Sequence, residues 1–487
     1  MDGTTLSPTA EYRGSSFRYN PSFMINTPVK TRFAPSPTGL VHIGNARTAL
    51  FSALLGDSFL LRIEDTDAER SRPEFVDAIL EDLSWLGISW DEGPTTSDAT
   101  PLWHQSERGE IYERYYQQLE SSGYAYPCYC TPQELEIHRK VQLSSGRPPR
   151  YSGKCAKLNG DERAALLASG RLPTLRFRVE KGRTVEFTDG VRGPQKFQTD
   201  DIGDFIIRRA DGSSAFFFCN AIDDSLMGVT RVVRGEDHLT NTPRQILILS
   251  ALALKVPEYA HTALILGDDG APLSKRNGSR SIRELREAGY FSLAIVNLMA
   301  RLGHHYESDG LMDFWDLKSN FRLSALGRSP ARFDITHLKH WQSLVLRSVT
   351  DYELDQWLHA ETRYLVPQES FPLFRDIVRS NCEFPEDAHG WARILFTDDP
   401  LTPFETSQAE ESYYRAAVKA HAAHPKDYAA FITALKELSG AKGKSLFMPL
   451  RLALTGRHDG PELAQLYQVL SAERIVHRLT APIALKD

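Results

Sequence analysis

Short apolar runs alternate with helix-period stretches along the first third of the chain. "KTRFAP" (Lys30–Pro35) predicts a short strand, closed by a Pro-Ser-Pro-Thr-Gly turn. "APSPTGLVHIGNARTALFSALL" (Ala34–Leu55) runs from that turn into an apolar helix, and "SFLLRIED" (Ser58–Asp65) predicts a second strand. Strand, loop, helix and strand in this order make a βαβ unit, which requires parallel pairing. The helix predicted over Arg72–Gly87 puts Phe75, Ile79, Leu83 and Leu86 on one face, and Gly87 ends it. A second α/β stretch returns at "DFIIRRADGSSAFFFCNAIDD" (Asp204–Asp224), and "VTRVVRGED" (Val229–Asp237) reads as a strand leading to a helix that contains Pro243. After about residue 280 the strand signals fade. "SLAIVNLMARLG", "YELDQWLHAETRYL", "SYYRAAVKAHAAH" and "YAAFITALKEL" are all helix-like, so the C-terminal region reads as all-α.

Length and composition narrow the class. At 487 residues the chain exceeds one core, and about three domains are expected. With 41% hydrophobic and 25% charged residues it reads as a globular protein. Its richest apolar run, "QILILSALALKV" (Gln245–Val256), fits a core helix rather than a membrane span. Residues 1–29 lack the basic start and apolar block of a secretory signal. They read as a loose, disordered extension, with Met24 as an alternative start. Five cysteines, three of them clustered (Cys128, Cys130, Cys155), argue against a disulfide framework and for a reducing, cytoplasmic setting. A net charge of −6 excludes nonspecific nucleic-acid binding by bulk charge but leaves a local basic face open.

Two stretches carry candidate chemistry. A helix start presents free N–H groups and a partial positive charge, which suit phosphate. Gly39 and Gly44 would let a nucleotide approach the backbone, and His42 would donate to phosphate oxygens as charge builds. The rival reading has His42 and Gly44 merely starting a core helix. Further on, "APLSKRNGS" (Ala271–Ser279) follows the turn "GDDG" (Gly267–Gly270) and reads as a mobile cationic loop suited to a triphosphate, or else as a solvated basic loop. The two motifs together, P-S-P-T-G-x-x-H-I-G in the first βαβ and L-S-K-R after the second α/β half, are far more specific than either alone.

With "TRFAPSPTGLVHIGNARTALF", "LLRIEDTD", "WLGISWDEGP", "QSERGEIYERYYQQLESSGYAYPCYC", "VVRGEDHLTNTPRQIL", "LILGDDGAPLSKRNGS" and "LRLALTGRHDGPEL", the chain resembles class I aminoacyl-tRNA synthetases, specifically the bacterial-type glutamyl-tRNA synthetases, over about Thr31–Leu463. His42-Ile43-Gly44-Asn45 corresponds to the family's HIGH signature and Leu273–Arg276 to its KMSKS loop. The resemblance implies ATP- and Mg²⁺-dependent activation of L-glutamate and its transfer to the 3′ end of tRNA(Glu). It implies His42 and Lys275 as catalytic residues, and Gly44, Asn45, Asp237, Ser274 and Arg276 beside them at ATP. Arg32, Ala34, Ser36, Glu64, Phe216, Asn220 and Arg234 would form the amino-acid site, with the arginines gripping a carboxylate and Glu64 holding the α-amino group.

The implied architecture is an α/β Rossmann-like catalytic domain with an α+β insertion, then an all-α anticodon-binding region. Its segments are an extension (1–29), the first catalytic half (30–104), an acceptor-end-binding insertion (105–205) and the second half (206–271). The KMSKS loop and stem-contact domain (272–350) and the anticodon region (351–487) follow. Three departures stand out. Phe216 replaces the usual pocket tyrosine, Pro272 replaces the lysine that opens the KLSKR loop, and the turn before "FLLRIEDTD" is shorter.

The cysteines leave two readings open. One is a structural zinc site in which Tyr151, four residues before Cys155, supplies the fourth ligand as in the related glutamyl-queuosine synthetase; Lys157 is a poor ligand and His138 a weaker substitute. The other is three unliganded thiols. "HRKVQLSSGRPPRYSGKCAK" (His138–Lys157) is basic enough to hold an acceptor strand, or is simply solvated. A monomer without membrane contact is expected. Competing functions are a non-discriminating synthetase that also charges tRNA(Gln) and a catalytically impaired tRNA-binding paralogue. Glutaminyl-tRNA synthetase fits less well because its anticodon region is a β-barrel. The glutamyl-queuosine enzyme lacks the long C-terminal region seen here.

Overall fold

The computed structural model describes residues 11–13, 16–18, 28–94, 103–146, 148–267, 269–273, 280–401 and 408–484. The chain packs as two units, residues 1–285 with 295–335, and residues 286–294 with 336–487. The segment 272–350 drawn from the sequence is therefore shared between the two.

Two short strands, β1 (Glu11–Arg13) and β2 (Ser16–Arg18), lie in the N-terminal extension and pair antiparallel. The expectation of a wholly loose extension is corrected here, because an edge strand elsewhere in the first unit offers β2 a ladder. The catalytic half begins at β3 (Lys30–Phe33), crosses through α1 (Ile43–Leu55) and returns at β4 (Ser58–Leu61), parallel to β3. The face of α1 carrying Ile43, Ala46, Leu50, Phe51 and Leu54 is buried, which explains why an apolar helix follows the turn. Next comes α2 (Pro73–Trp85), which starts on Pro73 and stops before Gly87, whose φ of 74° is the left-handed conformation a helix end favours.

The insertion contributes α3 (Gly109–Ser121), β5 (Ala125–Cys128), α4 (Pro132–Ser144), α5 (Gly160–Ala168), β6 (Thr174–Phe177), β7 (Thr184–Asp189), β8 (Gly193–Gln198), α6 (Thr199–Ile202) and β9 (Phe205–Arg208). Strands β5, β6 and β9 form an antiparallel sheet, and the β7–β8 hairpin accepts β2 along the free edge of β7. Both α4 and α5 open with reciprocal capping boxes, Thr131 with Glu134 and Asn159 with Glu162. The boundary near residue 105 is not a break in packing: Gln105, Arg108 and Tyr112 all donate to the buried Asp223 of the second catalytic half.

That half is α7 (Phe216–Leu226), β10 (Arg231–Gly235), α8 (Thr242–Ala251) and β11 (Glu258–Thr262), with β10 and β11 parallel. The two parallel pairs lie side by side, Thr230 N donating to Lys30 O at 2.9 Å. One crossover leaves β3 towards β4 and the other leaves β10 towards β11, so the winding reverses between β3 and β10. Open parallel sheets bind ligands at the carboxyl ends of the strands at such a switch point.

Among the described residues after 280 the elements are helices apart from the strand Ala331–Arg332, which pairs with Ile265–Leu266. In the second unit a core of Leu354, Phe374, Ile377, Trp391, Tyr414, Phe431, Leu450 and Leu466 is closed by helices including Phe371–Asn381, Pro385–Phe396, Gln408–Ala423 and Tyr428–Ser439. The helix-like stretch 352–365 forms two helices, Asp351–Trp357 and Ala360–Leu365; Leu358 between them is extended and buried. No described helix is long and apolar enough to cross a membrane.

Candidate active site

His42 is the residue before the first turn of α1 and has extended backbone geometry (φ −102°, ψ 161°). It bridges Ser281, while Ile282 N donates to Val41 O, so the helix start is tied to the chain just beyond the cationic loop. Among the described residues, a Cβ placed on Gly39 or Gly44 would meet no atom within 4 Å. Protein packing does not demand glycine at either position, which leaves the space beside the backbone open to a ligand. Asn45 is exposed on the same turn. Ser274, Lys275 and Arg276 lie outside the described residues. Their leading strand is ordered, with Gly267 N donating to Ala271 O and Leu273 N to Ile265 O. In that antiparallel bridge Leu266 faces Pro272, and the backbone nitrogen of residue 272 is not a ladder donor, so proline removes no hydrogen bond.

At the switch point the structure gathers the predicted amino-acid site. Arg32 on β3 is buried, its Nε donating to Asp224 Oδ1 (3.2 Å) and its Nη1 to Val233 O (3.4 Å). Ala34 and the exposed Ser36 follow β3, and Pro35 O accepts from Glu64 N at 2.9 Å. Asn220 on α7 is buried, accepts from Arg62 Nη2 (2.9 Å) and donates to Glu64 Oε2 (3.1 Å) and Phe216 O (3.2 Å). Burial pushes the Glu64 carboxyl up to about 7, although Asn220, Arg62, Arg32 and Ser36 all pull the other way.

Arg234, near the end of β10, is also buried. Its Nε donates to His261 Nε2 (3.1 Å), and its Nη2 to Thr242 Oγ1 and Gln245 Oε1 (both 2.8 Å). Its Nη1 is buried with no hydrogen-bond partner among the described residues. Desolvation lowers the Arg234 guanidinium to about 10, well above any working pH, so it stays charged. The Phe216 ring lies 5.2 Å from the His238 ring. Burial first, then the positive field of Arg234, brings His238 down to about 4, so it is neutral beside the arginines. Asp237 is exposed at the end of β10 and pairs with His238 (3.6 Å).

The scaffold beneath this site is made of residues to which the sequence alone had assigned no role. Arg62 is fully buried against Asp224 (2.8 Å) and Asp223 (3.9 Å), and Asp189 meets His261 Nδ1 at 2.5 Å. Two signals were available: an arginine inside the apolar strand run "FLLRI", and paired aspartates in the apolar helix "FFFCNAIDD". Charges buried in such surroundings must find partners.

In the insertion, the Sγ atoms of Cys128, Cys130 and Cys155 lie within 4.8 Å of one another. Cys130 and Cys155 sulfurs are 3.6 Å apart, and Tyr151 Oη is 3.4 Å from Cys128 Sγ and 3.5 Å from Cys130 Sγ. Around one tetrahedral zinc, thiolates stand about 3.8 Å apart and an oxygen ligand about 3.5 Å from each sulfur. The four groups fit that arrangement, whereas His138 is not among the clustered ligand atoms. Without a cation, burial and the neighbouring sulfurs push the Cys130 thiol up to about 12. Tyr151 also lines a cavity of about 800 Å³ together with His138, Arg139, Arg150, Arg176 and Arg244, and Phe216 and Phe217 line it too.

Comparison with known proteins agrees with this geometry. Residues 28–340 match the catalytic domain of class I tRNA synthetases (E and Q), and residues 370–483 match an anticodon binding domain. The chain is 62% identical over 455 residues to glutamate–tRNA ligase 1 of Methylococcus capsulatus, covering 93% of this chain and 98% of that protein. It is 52% identical over 465 residues to glutamate–tRNA ligase 2 of Nitrosococcus oceani, covering 94% and 98%. A crystal structure of a glutamate tRNA ligase from Elizabethkingia meningosepticum in complex with its amino acid superposes with a TM-score of 0.84 at 27% identity, over 95% of this chain and 100% of that one. With catalytic and anticodon-binding domains matched in order, and relatives of this identity covered almost end to end, the chain belongs to the glutamate–tRNA ligases, a family of class I aminoacyl-tRNA synthetases.

Proposed function

We propose that the chain activates L-glutamate with ATP and loads it onto tRNA(Glu), with the residues above in distinct roles. The observation that carries the reading is the paired buried arginines at the switch point. Arg32 is balanced by Asp224, but Arg234 keeps a desolvated N–H edge without an acceptor among the described residues. A buried charged donor left unmatched is costly, and a substrate carboxylate would remove that cost. Glu64, held by Asn220 and Ser36, is suited to the substrate ammonium at the other end of the pocket. Ala34 and Phe216 would close its walls.

The α-carboxylate then attacks the α-phosphate and pyrophosphate leaves. Little covalent work falls to the protein in such a step, so positioning and charge stabilisation dominate. The start of α1 with Gly39, Gly44, Asn45 and His42 would take the phosphates, Asp237 would lie beside the nucleotide, and Ser274, Lys275 and Arg276 would close over the leaving group. Mg²⁺, carried in by the triphosphate, would supply charge neutralisation. Among the described residues no group of carboxylates converges to hold it alone.

The arginine-lined cavity supports the reading that the acceptor end passes between insertion and head, with phosphates on Arg139, Arg150 and Arg244. We assign Cys128, Cys130, Tyr151 and Cys155 to one structural zinc, which would brace the cavity wall through Tyr151. We further take the enzyme to act as a monomer and to discriminate between tRNAs. Aminoacylation with labelled glutamate on purified glutamate and glutamine tRNAs tests this. Charging of the glutamate tRNA alone is expected. Charging of both would make the enzyme non-discriminating, and charging of neither by folded protein would favour an impaired tRNA-binding paralogue.

A further inference from the structure

We propose that Asp189 and His261 are positioning residues for the amino-acid site, holding Arg234 in the orientation that leaves its Nη1 edge to the substrate carboxylate. The proposal rests on the reading that Arg234 grips that carboxylate.

Asp189 ends β7, outside the catalytic halves in sequence, yet its side chain and that of His261 are both fully buried. One carboxylate oxygen, Oδ1, accepts from three backbone N–H groups: Val191 (2.9 Å), Arg192 (2.8 Å) and His261 itself (3.1 Å). The other, Oδ2, faces His261 Nδ1 at 2.5 Å. An ionised carboxylate only accepts, so the imidazole proton sits on Nδ1 and the Nε2 lone pair faces away from Asp189. That lone pair takes the Nε–H of Arg234 at 3.1 Å, with Thr242 Oγ1 also 3.1 Å away. Burial, reinforced by the positive charges of Arg234 and Arg32, holds His261 below the usual imidazole range, so the lone pair persists at neutral pH.

Thr242 and Gln245 hold Nη2. One edge of the guanidinium is thus bound by His261, Thr242 and Gln245, and Nη1 remains. A guanidinium offers all its donors in one plane, so fixing Nε and Nη2 also fixes the direction of Nη1. The tautomer of one histidine, set by an aspartate of the insertion, therefore determines how the arginine presents itself.

Asp189→Asn tests this. The three backbone donors keep the new amide oxygen in the place of Oδ1, so the amide nitrogen must take the place of Oδ2 and point its N–H at His261 Nδ1. The imidazole proton then moves to Nε2 and confronts the Nε–H of Arg234, donor against donor. The variant is expected to raise the glutamate KM roughly 10- to 100-fold, the size of a lost hydrogen bond to a charged group, with the ATP KM close to wild type.

An unchanged glutamate KM in Asp189→Asn, or a parallel loss of ATP affinity, would overturn the proposal. His261→Gln compared with His261→Leu decides independently, because with Asp189 kept the glutamine amide can donate to the carboxylate and turn its oxygen to Arg234: glutamate affinity retained only by the glutamine supports the assignment, and equal loss in both overturns it. Arg234→Ala serves as the separate check. If it leaves the glutamate KM unchanged, the carboxylate reading itself has failed.

Discussion

The pH dependence of glutamate binding follows from Glu64. Its carboxyl lies at about 7 because burial outweighs the help of Asn220, Arg62, Arg32 and Ser36. If the anion receives the substrate ammonium, protonation competes with binding, and the apparent dissociation constant scales as one plus ten to the power (pKa − pH). That factor is about 1.1 at pH 8, about 2 at pH 7 and about 11 at pH 6, so the glutamate KM should rise about tenfold between pH 8 and pH 6. Neither neighbouring imidazole accounts for such a slope: His238 lies at about 4 and His261 is also depressed.

The sign for stability is opposite. A carboxyl raised above its unfolded value makes the folded state prefer the proton, so this group's contribution to stability is complete below about 4.5 and is lost as pH climbs through about 7. Without glutamate, Glu64 should therefore make the enzyme slightly more stable at pH 5.5 than at pH 8. Steady-state aminoacylation at saturating ATP and tRNA across pH 6–8, with glutamate varied, reads the first effect; thermal unfolding at pH 5.5 and pH 8 reads the second. Glu64→Gln should bind glutamate weakly and lose both slopes. A flat wild-type KM, or a tenfold slope that survives in Glu64→Gln, would refute the assignment of the ammonium to Glu64.

Three other outcomes are expected. Phe216→Tyr restores a hydroxyl beside the pocket and should lower the glutamate KM about fivefold or more, since one such hydrogen bond is worth about 1 kcal/mol or more; an unchanged KM in the same assay would show that the hydroxyl has no role here. Native mass spectrometry should find one zinc per chain, lost in Cys155→Ser, and a strong chelator should lower the melting temperature of wild type but not of that variant. Gly460→Ala should destabilise the second unit by about 1–3 kcal/mol in urea unfolding, because at φ 121° the new Cβ would stand 2.2 Å from a ring carbon of the buried Trp391. Gly440→Ala, where the added carbon meets open space, isolates the cost of a left-handed φ alone.

Much of the fold was legible because each element repeats its own period. The apolar face of α1, the stop at Gly87 and the helical C-terminal region all follow from local patterning that packing preserved. Misreadings arose where a distant partner decided. Residues 11–13 and 16–18 have no strand signal strong enough to stand alone, yet β2 pairs with β7. The stretch 352–365 has a continuous helical pattern but breaks where Leu358 is drawn into the core. In the candidate site, residues on recognisable motifs were found, and those acting through space were not. Asp223, Asp224, Asp189 and His261 belong to no short motif, Arg62 sits in one without a role assigned to it, and only folding makes them neighbours.

What the sequence determined by itself is therefore the succession of elements and the motifs lying on them: a βαβ start with His42 and Gly44 at a helix entrance, a basic loop, three clustered cysteines and a helical C-terminal region. The tertiary structure alone decided how charge is handled. It set Arg32 and Arg234 on either side of the point where the sheet reverses its winding, balanced one with Asp224, left the other a free buried edge and turned it through His261 towards Asp189. The physical reason is that patterning reports which residues leave water, residue by residue. The cost of burying a charge depends on what stands within a few ångströms in space, and that distance is not written in chain order.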